Sequence, residues 1–186
     1  MKQFQLSEDI LLRTYVLSDA PGLIALINDN RAYLRAWLPW LDQNNVVEDS
    51  EEFIRFARKQ SDQGMGFICG IYYGGNLIGS CGYHMINSSN SSVSLGYWLA
   101  ENMTGRGIVT ICVKFLIDYA FDDLKLNKVL VSVGEKNLPS RAICERLGLV
   151  NEGVEREAEY LYGNYVNHIR YSVLNSEWKL NSEHSS

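Results

Sequence analysis

Ser92–Leu124 reads SVSLGYWLAENMTGRGIVTICVKFLIDYAFDDL, and three kinds of sequence pattern succeed one another in it without a break. Val93, Leu95, Tyr97 and Leu99 alternate with Ser94, Gly96 and Trp98. That two-residue period predicts a strand with two unlike faces. From Ile108 to Leu124 the polar residues Thr110, Lys114, Asp118 and Asp122 recur every fourth position. They form one narrow stripe on a helix that is otherwise apolar, so the helix is expected to be buried on most sides against a sheet.

Between strand and helix lies Thr104-Gly-Arg-Gly-Ile-Val109. Glycines let a backbone approach an anion closely, and the first N–H groups of a helix have no partner within it. With the helix dipole added, such a loop suits a pyrophosphate, although a plain structural turn has the same appearance. Two nucleotide-binding patterns fail here. No Gly-Lys-Ser/Thr comes after it, as a phosphate-binding P-loop requires, and Thr110 stands where a dinucleotide fingerprint needs its third glycine.

Outward from this segment, Lys128–Val133 reads as a short β-branched strand, and Asn137-Leu-Pro-Ser140 caps a helix that Gly148 stops. Tyr160 and Tyr171 mark two strands around a Gly163-Asn164 turn, a hairpin ending near Trp178. Upstream, Phe67–Tyr73 and Leu77–His84 flank Gly74-Gly75-Asn76, a second hairpin signal. Ile10–Val16 reads as the first strand, Ser18-Asp19-Ala20-Pro21 as a helix start, and Asp49 with Glu52 as a capping box for a helix to about Gln60. The order is strand, helices, three strands, helix, strand, helix, hairpin. It predicts a mixed α/β (α+β) fold with a central β-α-β crossover. Residues 1–180 are expected to form one domain, with 181–186 a frayed polar tail.

Composition narrows the function. The net charge of −5 disfavours non-specific nucleic-acid binding and mildly favours a cationic partner. No apolar run approaches the ~20 residues of a membrane span, and Met1–Gln5 lacks the apolar core of a secretory signal, so the chain reads as cytoplasmic. Cys69, Cys81, Cys112 and Cys144 are scattered without a C-x-x-C or a histidine at ligand spacing. They read as core residues, with neither a nucleophilic cysteine nor a metal site.

The loop and the segment after it resemble the GNAT acetyltransferase family. Thr104 stands at the family's Gln/Arg position, Gly107 matches its glycine, and Val109 replaces its final Gly/Ala. Val129–Gly148, with Asn137-x-x-Ser140 at the strand-to-helix junction and Arg146-Leu-Gly-Leu149 at its close, looks like the family's next strand and helix. Arg35-Ala-Trp-Leu-Pro-Trp-Leu-Asp42, Glu152-Gly153 and Ala158-Glu-Tyr-Leu-Tyr-Gly-Asn-Tyr165 are similar to the branch that acetylates the N-termini of ribosomal proteins. The resemblance covers roughly residues 8–178. It implies a twisted, mostly antiparallel sheet of about seven strands with helices on both faces.

It also implies acetyl-CoA as donor, no metal, and direct transfer to an amine, with a protein N-terminus as acceptor and a homodimer as one compatible assembly. A small-molecule amine acceptor (antibiotic or polyamine) and a CoA-binding module without catalysis remain as alternatives. By the same resemblance Glu159 is the candidate base and acceptor ligand, and Ser140 the candidate acid on the thiol side. Leu99, Met103, Thr104, Gly105, Arg106, Gly107, Ile108, Val109, Thr110, Asn137 and Ser140 would line the donor site. Tyr33, Arg35, Trp37 and Trp40 would line the acceptor side.

Overall fold

A computed structural model describes residues 1–183. Its centre is one eight-stranded sheet in the order β1-β2-β3-β4-β5-β6-β8-β7. The strands are β1 (Gln3–Gln5), β2 (Ile10–Thr14), β3 (Ile68–Tyr73), β4 (Asn76–Asn87), β5 (Ser92–Leu99), β6 (Lys128–Gly134), β7 (Val150–Leu161) and β8 (Asn164–Leu174). Every pairing is antiparallel except β5 with β6, where the crossover predicted from sequence makes the neighbours parallel. The count is eight rather than about seven. Gln3-Phe-Gln5 carries one apolar residue, too little for a periodic signal, and becomes a strand by pairing Phe4 with Leu12 of β2.

Helices cover both faces. On one, α1 (Ala20–Asp29), the single turn α2 (Arg31–Leu34) and α3 (Val47–Asp62) pack Leu23, Ile27, Leu34 and Ile54 against Tyr15, Ile68, Leu77 and Trp98. On the other, α4 (Ile108–Asp122) buries Cys112, Val113, Leu116, Ile117 and Ala120 completely, and α5 (Leu138–Arg146) adds Cys144. The Tyr83 hydroxyl of β4 donates to the Leu116 carbonyl, which ties α4 to the sheet by a buried polar contact. The polar stripe of α4 is also used: Lys114 pairs with Asp118, and Trp178 of the closing helix α6 (Asn175–Glu183) donates to Asp118 at 2.6 Å.

Several boundaries differ from the sequence reading. α3 begins at Val47, not Asp49, because the Asp49 carboxylate reaches back to the amides of Asn45 and Val46 at 2.8 and 3.0 Å. The hairpin turn is Tyr162-Gly163, one residue earlier than expected, and β7 starts as far back as Val150. β8 ends at Leu174, so Trp178 belongs to α6. That helix also takes in residues 181–183 of the expected tail, and 184–186 lie outside the described residues.

Leu116 is fully buried between α4 and the sheet. Leu116→Ala is expected to destabilise the protein by about 3 kcal/mol, read as a lower denaturation midpoint at constant slope. A loss under about 1 kcal/mol would show that the helix is not clamped as described.

Candidate active site

The parallel pairing of β5 with β6 covers only Ser92, Val93 and Ser94 against Lys128, Val129 and Leu130. Beyond it, Leu95–Leu99 and Val131–Gly134 have no partner across the seam, and a cleft opens at the carboxyl ends of the two strands. Open α/β sheets bind ligands at such places. Two cavities fill it. One of about 630 Å³ lies on the α4 side, and one of about 1470 Å³ extends under α3 and the β7–β8 hairpin. They share Trp37, Leu38, Tyr97, Trp98, Asn137 and Ser140.

The smaller cavity is lined by Leu99, the unbroken run Met103–Thr110, Asn137 and Ser140, so every residue expected on the donor side is brought together. Gly105 and Gly107 have φ of +75° and +73°, the left-handed region that a side chain strongly disfavours. Gly107 is the N-cap of α4 but no side chain caps the helix. The first helical bond runs from Ile111 N–H to the Gly107 carbonyl at 3.1 Å, which leaves the amides of Ile108, Val109 and Thr110 without intrahelical acceptors. Thr104 turns its hydroxyl away to the Glu101 carbonyl at 2.7 Å, while Arg106 reaches the Asn102 carbonyl at 3.3 Å. Arg146, which the sequence reading placed only as part of a family match, reaches Thr110 Oγ1 from α5 at 3.0 Å and lines the same cavity.

At the junction of the cavities, Asn137 Oδ1 accepts from the Ser140 amide at 3.2 Å and caps α5, as predicted. The Tyr97 phenol donates to the Ser140 carbonyl, and the Ser140 hydroxyl donates to the Tyr97 oxygen, both at 3.1 Å. This pair spans the seam that the strands leave open. Burial pushes the Tyr97 phenol well above its ordinary range, so it stays protonated. Its role was not legible in sequence, where Tyr97 is one more apolar member of an alternating strand.

Glu159 lines the larger cavity together with Trp37 and Trp40, and Trp40 packs against Trp98 with ring centroids 6.4 Å apart. Glu159 Oε2 lies 3.3 Å from His168 Nε2 on β8, a partner with no sequence signature. His84 faces the same space over Gly96, where a Cβ would come within 2.6 Å of its Nε2; burial lowers the pKa of that imidazole. Two residues expected on the acceptor side stand elsewhere. Tyr33 lines the smaller cavity. Arg35 lines neither, because it forms a two-point ion pair with Asp42 at 2.9 Å and stacks on Tyr162 at 3.8 Å. With the Tyr162 hydroxyl donating to the Leu38 carbonyl at 3.1 Å, these contacts fasten the hairpin tip over the cleft.

The two cavities differ in charge. Among the described residues, Arg106 and Arg146 are the charged ones lining the smaller cavity, and no carboxylate lines it. The larger is lined by Asp49, Glu52, Glu135 and Glu159, with Lys136 as its Lys/Arg charge. Among the described residues, no group of three His, Cys, Asp or Glu is placed to hold a metal ion, and no helix is long and apolar enough to cross a membrane.

Comparison with known proteins agrees with this geometry. The family described as the acetyltransferase (GNAT) domain matches residues 9–150. The Bacillus subtilis (strain 168) protein YdaF, provisionally named a ribosomal N-acetyltransferase, is similar at 33% identity over 176 residues, spanning 94% of this chain and 96% of its own. The ribosomal-protein-serine acetyltransferase of Escherichia coli (strain K12) is similar at 25% identity over 161 residues, spanning 87% and 90%. The crystal structure of the microcin C7 self-immunity acetyltransferase MccE, in complex with acetyl-CoA and AMP, superposes with a TM-score of 0.86 at 27% identity, over 91% of this chain and 94% of that one.

All four cysteines are buried, and burial pushes the Cys69 thiol up to about 12 and Cys144, beside Tyr97, to about 11. A thiol pushed up this far by burial stays protonated at pH 8, and thiol reagents attack the thiolate. The native protein is expected to react with no equivalent of a thiol reagent at pH 8, and with four after denaturation. Rapid native labelling of Cys144 would contradict its placement.

Proposed function

Because the chain belongs to the GNAT acetyltransferase family and is an acetyl-CoA-dependent N-acetyltransferase, we propose that its acceptor is the N-terminal α-amino group of a protein of the ribosomal kind, acetylated by direct transfer. The observation that carries this reading is the division of charge across the cleft. A donor with several phosphates fits the side with Arg106, Arg146 and the unpaired amides of α4. A cationic amine fits the side with four carboxylates. The larger cavity exceeds what a small amine needs, and Trp40 and Phe56, 37% and 61% exposed, offer apolar surface on its lining to the residues next to a terminus. The names of the relatives at 33% and 25% identity point the same way.

When bound, acetyl-CoA supplies an activated acetyl thioester. The residues then divide the work. The amides of Ile108, Val109 and Thr110, with Arg106 and Arg146, hold the phosphates, and the open edge of β5 toward Leu99 offers N–H groups to the acetyl carbonyl. Asn137 and Ser140 flank the thiol end, where the Ser140–Tyr97 hydroxyl pair keeps a proton beside the leaving sulfur. Glu159 faces the acceptor, binds its ammonium and removes the proton that must leave before attack. An α-amine, with a pKa of ~7.7–8, is already neutral in roughly a tenth of molecules at pH 7, whereas lysine at ~10.4 is almost wholly charged, so a lone carboxylate is adequate for the former.

The test is thiol release from acetyl-CoA with three acceptors: a peptide with a free Ser or Ala terminus, an N-blocked lysine peptide, and spermidine. Release with the first alone is expected. Glu159→Gln should then lower kcat about a hundredfold with the KM for acetyl-CoA unchanged, and Ser140→Ala about tenfold or more. Release only with lysine or spermidine would keep the family and discard the protein acceptor.

A further inference from the structure

From the two-residue turn Tyr162-Gly163, Glu159 sits opposite Val166 in the regular hairpin register, but that register does not continue as far as Glu155. Glu155 of β7 pairs with His168 of β8, yet Glu159 pairs with Val166, so four steps along β7 match two along β8. An unbroken register from Glu155 would set Glu159 opposite Asn164, at the hairpin tip. Because the two extra residues are taken up between Glu155 and Glu159 and not in the turn, Glu159 stays two positions along β8, about 7 Å, nearer the sheet centre on the same face. There His168 is its diagonal neighbour, and the two side chains meet at 3.3 Å.

The bulge that does this is held in place by one residue. Glu157 within it adopts φ of +51°, a left-handed conformation that a non-glycine residue disfavours. The Glu157 side chain is exposed, so packing does not hold it there. Its amide instead donates to Asn167 Oδ1 at 2.9 Å, while Asn167 Nδ2 donates to Glu135 Oε2 at 3.0 Å. The Asn167 carbonyl accepts from the Glu135 amide at 2.9 Å. Asn167 thus joins the bulge of β7, the strand β8 and the junction between β6 and α5, where the donor cavity begins. Strained residues and bulges that redirect side chains both concentrate at functional sites.

We propose that Asn167 and His168 are positioning residues for Glu159: Asn167 locks the bulge that sets the carboxylate beside the acceptor amine, and His168 fixes its orientation by donating from Nε2 to Oε2. No proton passes between the imidazole and the carboxylate in this role. The inference rests on the reading of Glu159 as the residue that meets the amine.

The experiment measures kcat and both KM values on the full-length protein carrying Asn167→Ala, His168→Ala, His168→Gln and Glu159→Gln, alone and with Glu159→Gln combined with each of the first two. A displacement of about 1 Å can cost up to about a hundredfold in rate. Asn167→Ala and His168→Ala are therefore expected to lower kcat about tenfold or more, with the KM for acetyl-CoA held within about twofold. His168→Gln, which keeps a donor at a similar reach, should recover most of the rate. In the Glu159→Gln background neither alanine should cause further loss, since nothing remains to be positioned. Wild-type kcat in both alanine variants, beside an impaired Glu159→Gln, would overturn this inference and leave the reading of Glu159 standing. A wild-type rate in Glu159→Gln would overturn that reading itself. Two further results would also overturn the inference: His168→Gln as slow as His168→Ala, and losses accompanied by a raised acetyl-CoA KM and a lowered unfolding midpoint.

Discussion

Everything at the site depends on a hydrogen-bonded seam that stops early. β5 and β6 pair over three residues and then part, although each continues as a strand. A parallel pair that stayed closed would bury its edges against itself and leave no room for a ligand. The parting exposes unpaired backbone along both inner edges, which is costly unless a ligand, water or side chains satisfy it. A side-chain contact links the elements on the two sides of the parting. Tyr97 reaches out of β5 and Ser140 out of α5, and their mutual hydrogen bonds span the gap at 3.1 Å. The parting is held open by the layers on either side: α4, buried along most of its circumference, and the α1–α3 layer with its own apolar cluster.

That opening joins two unlike environments. The α4 side has helix-terminal amides and two arginines, and the α3 and hairpin side has four carboxylates around tryptophans. Opposite fields meeting at one hydroxyl pair suit two ligands of opposite charge. Much of the rate that such an enzyme supplies comes from proximity and from donors fixed in advance. The chemistry asks little of any one side chain when the acceptor is an α-amine.

The frame is legible in the sequence because it is written in periodicity. The alternation of Val93 to Leu99, the four-residue spacing of Thr110 to Asp122, and the glycines at 105 and 107 each express local geometry, and each has its counterpart in the structure at those same residues. The donor side is readable for the same reason, being one continuous loop and helix start. The acceptor side is less so, because it is assembled from many separate elements, among them the segment after α2, α3, β4, β7 and β8. The neighbours Trp37 and Trp40 suggest a place there for Arg35, but a carboxylate seven residues on and a tyrosine from the hairpin claim its guanidinium. β1 escapes for a related reason: three residues with one apolar side chain become a strand only when a neighbour supplies the pairing.

Of the four non-glycine residues with left-handed backbone among the described residues, Ser91 and Lys125 lie just before β5 and β6, away from the cleft, and the other two lie in the hairpin beside it. Gly105 and Gly107 take left-handed conformations that suit glycine, and they shape the loop beneath the donor cavity. Glu157 and Tyr162 take them without being glycine, and both lie in the β7–β8 hairpin that carries Glu159. The left-handed conformation of Tyr162 is what a two-residue hairpin turn requires, whereas that of Glu157 belongs to the bulge. Both are also tied to other elements: Glu157 through Asn167 to Glu135 at the end of β6, and the Tyr162 side chain to Leu38 and Arg35 in the segment after α2. The hairpin that carries Glu159 is thus tied at two places, to Glu135 after β6 and to Leu38 after α2, both of which line the same cavity as Glu159 itself.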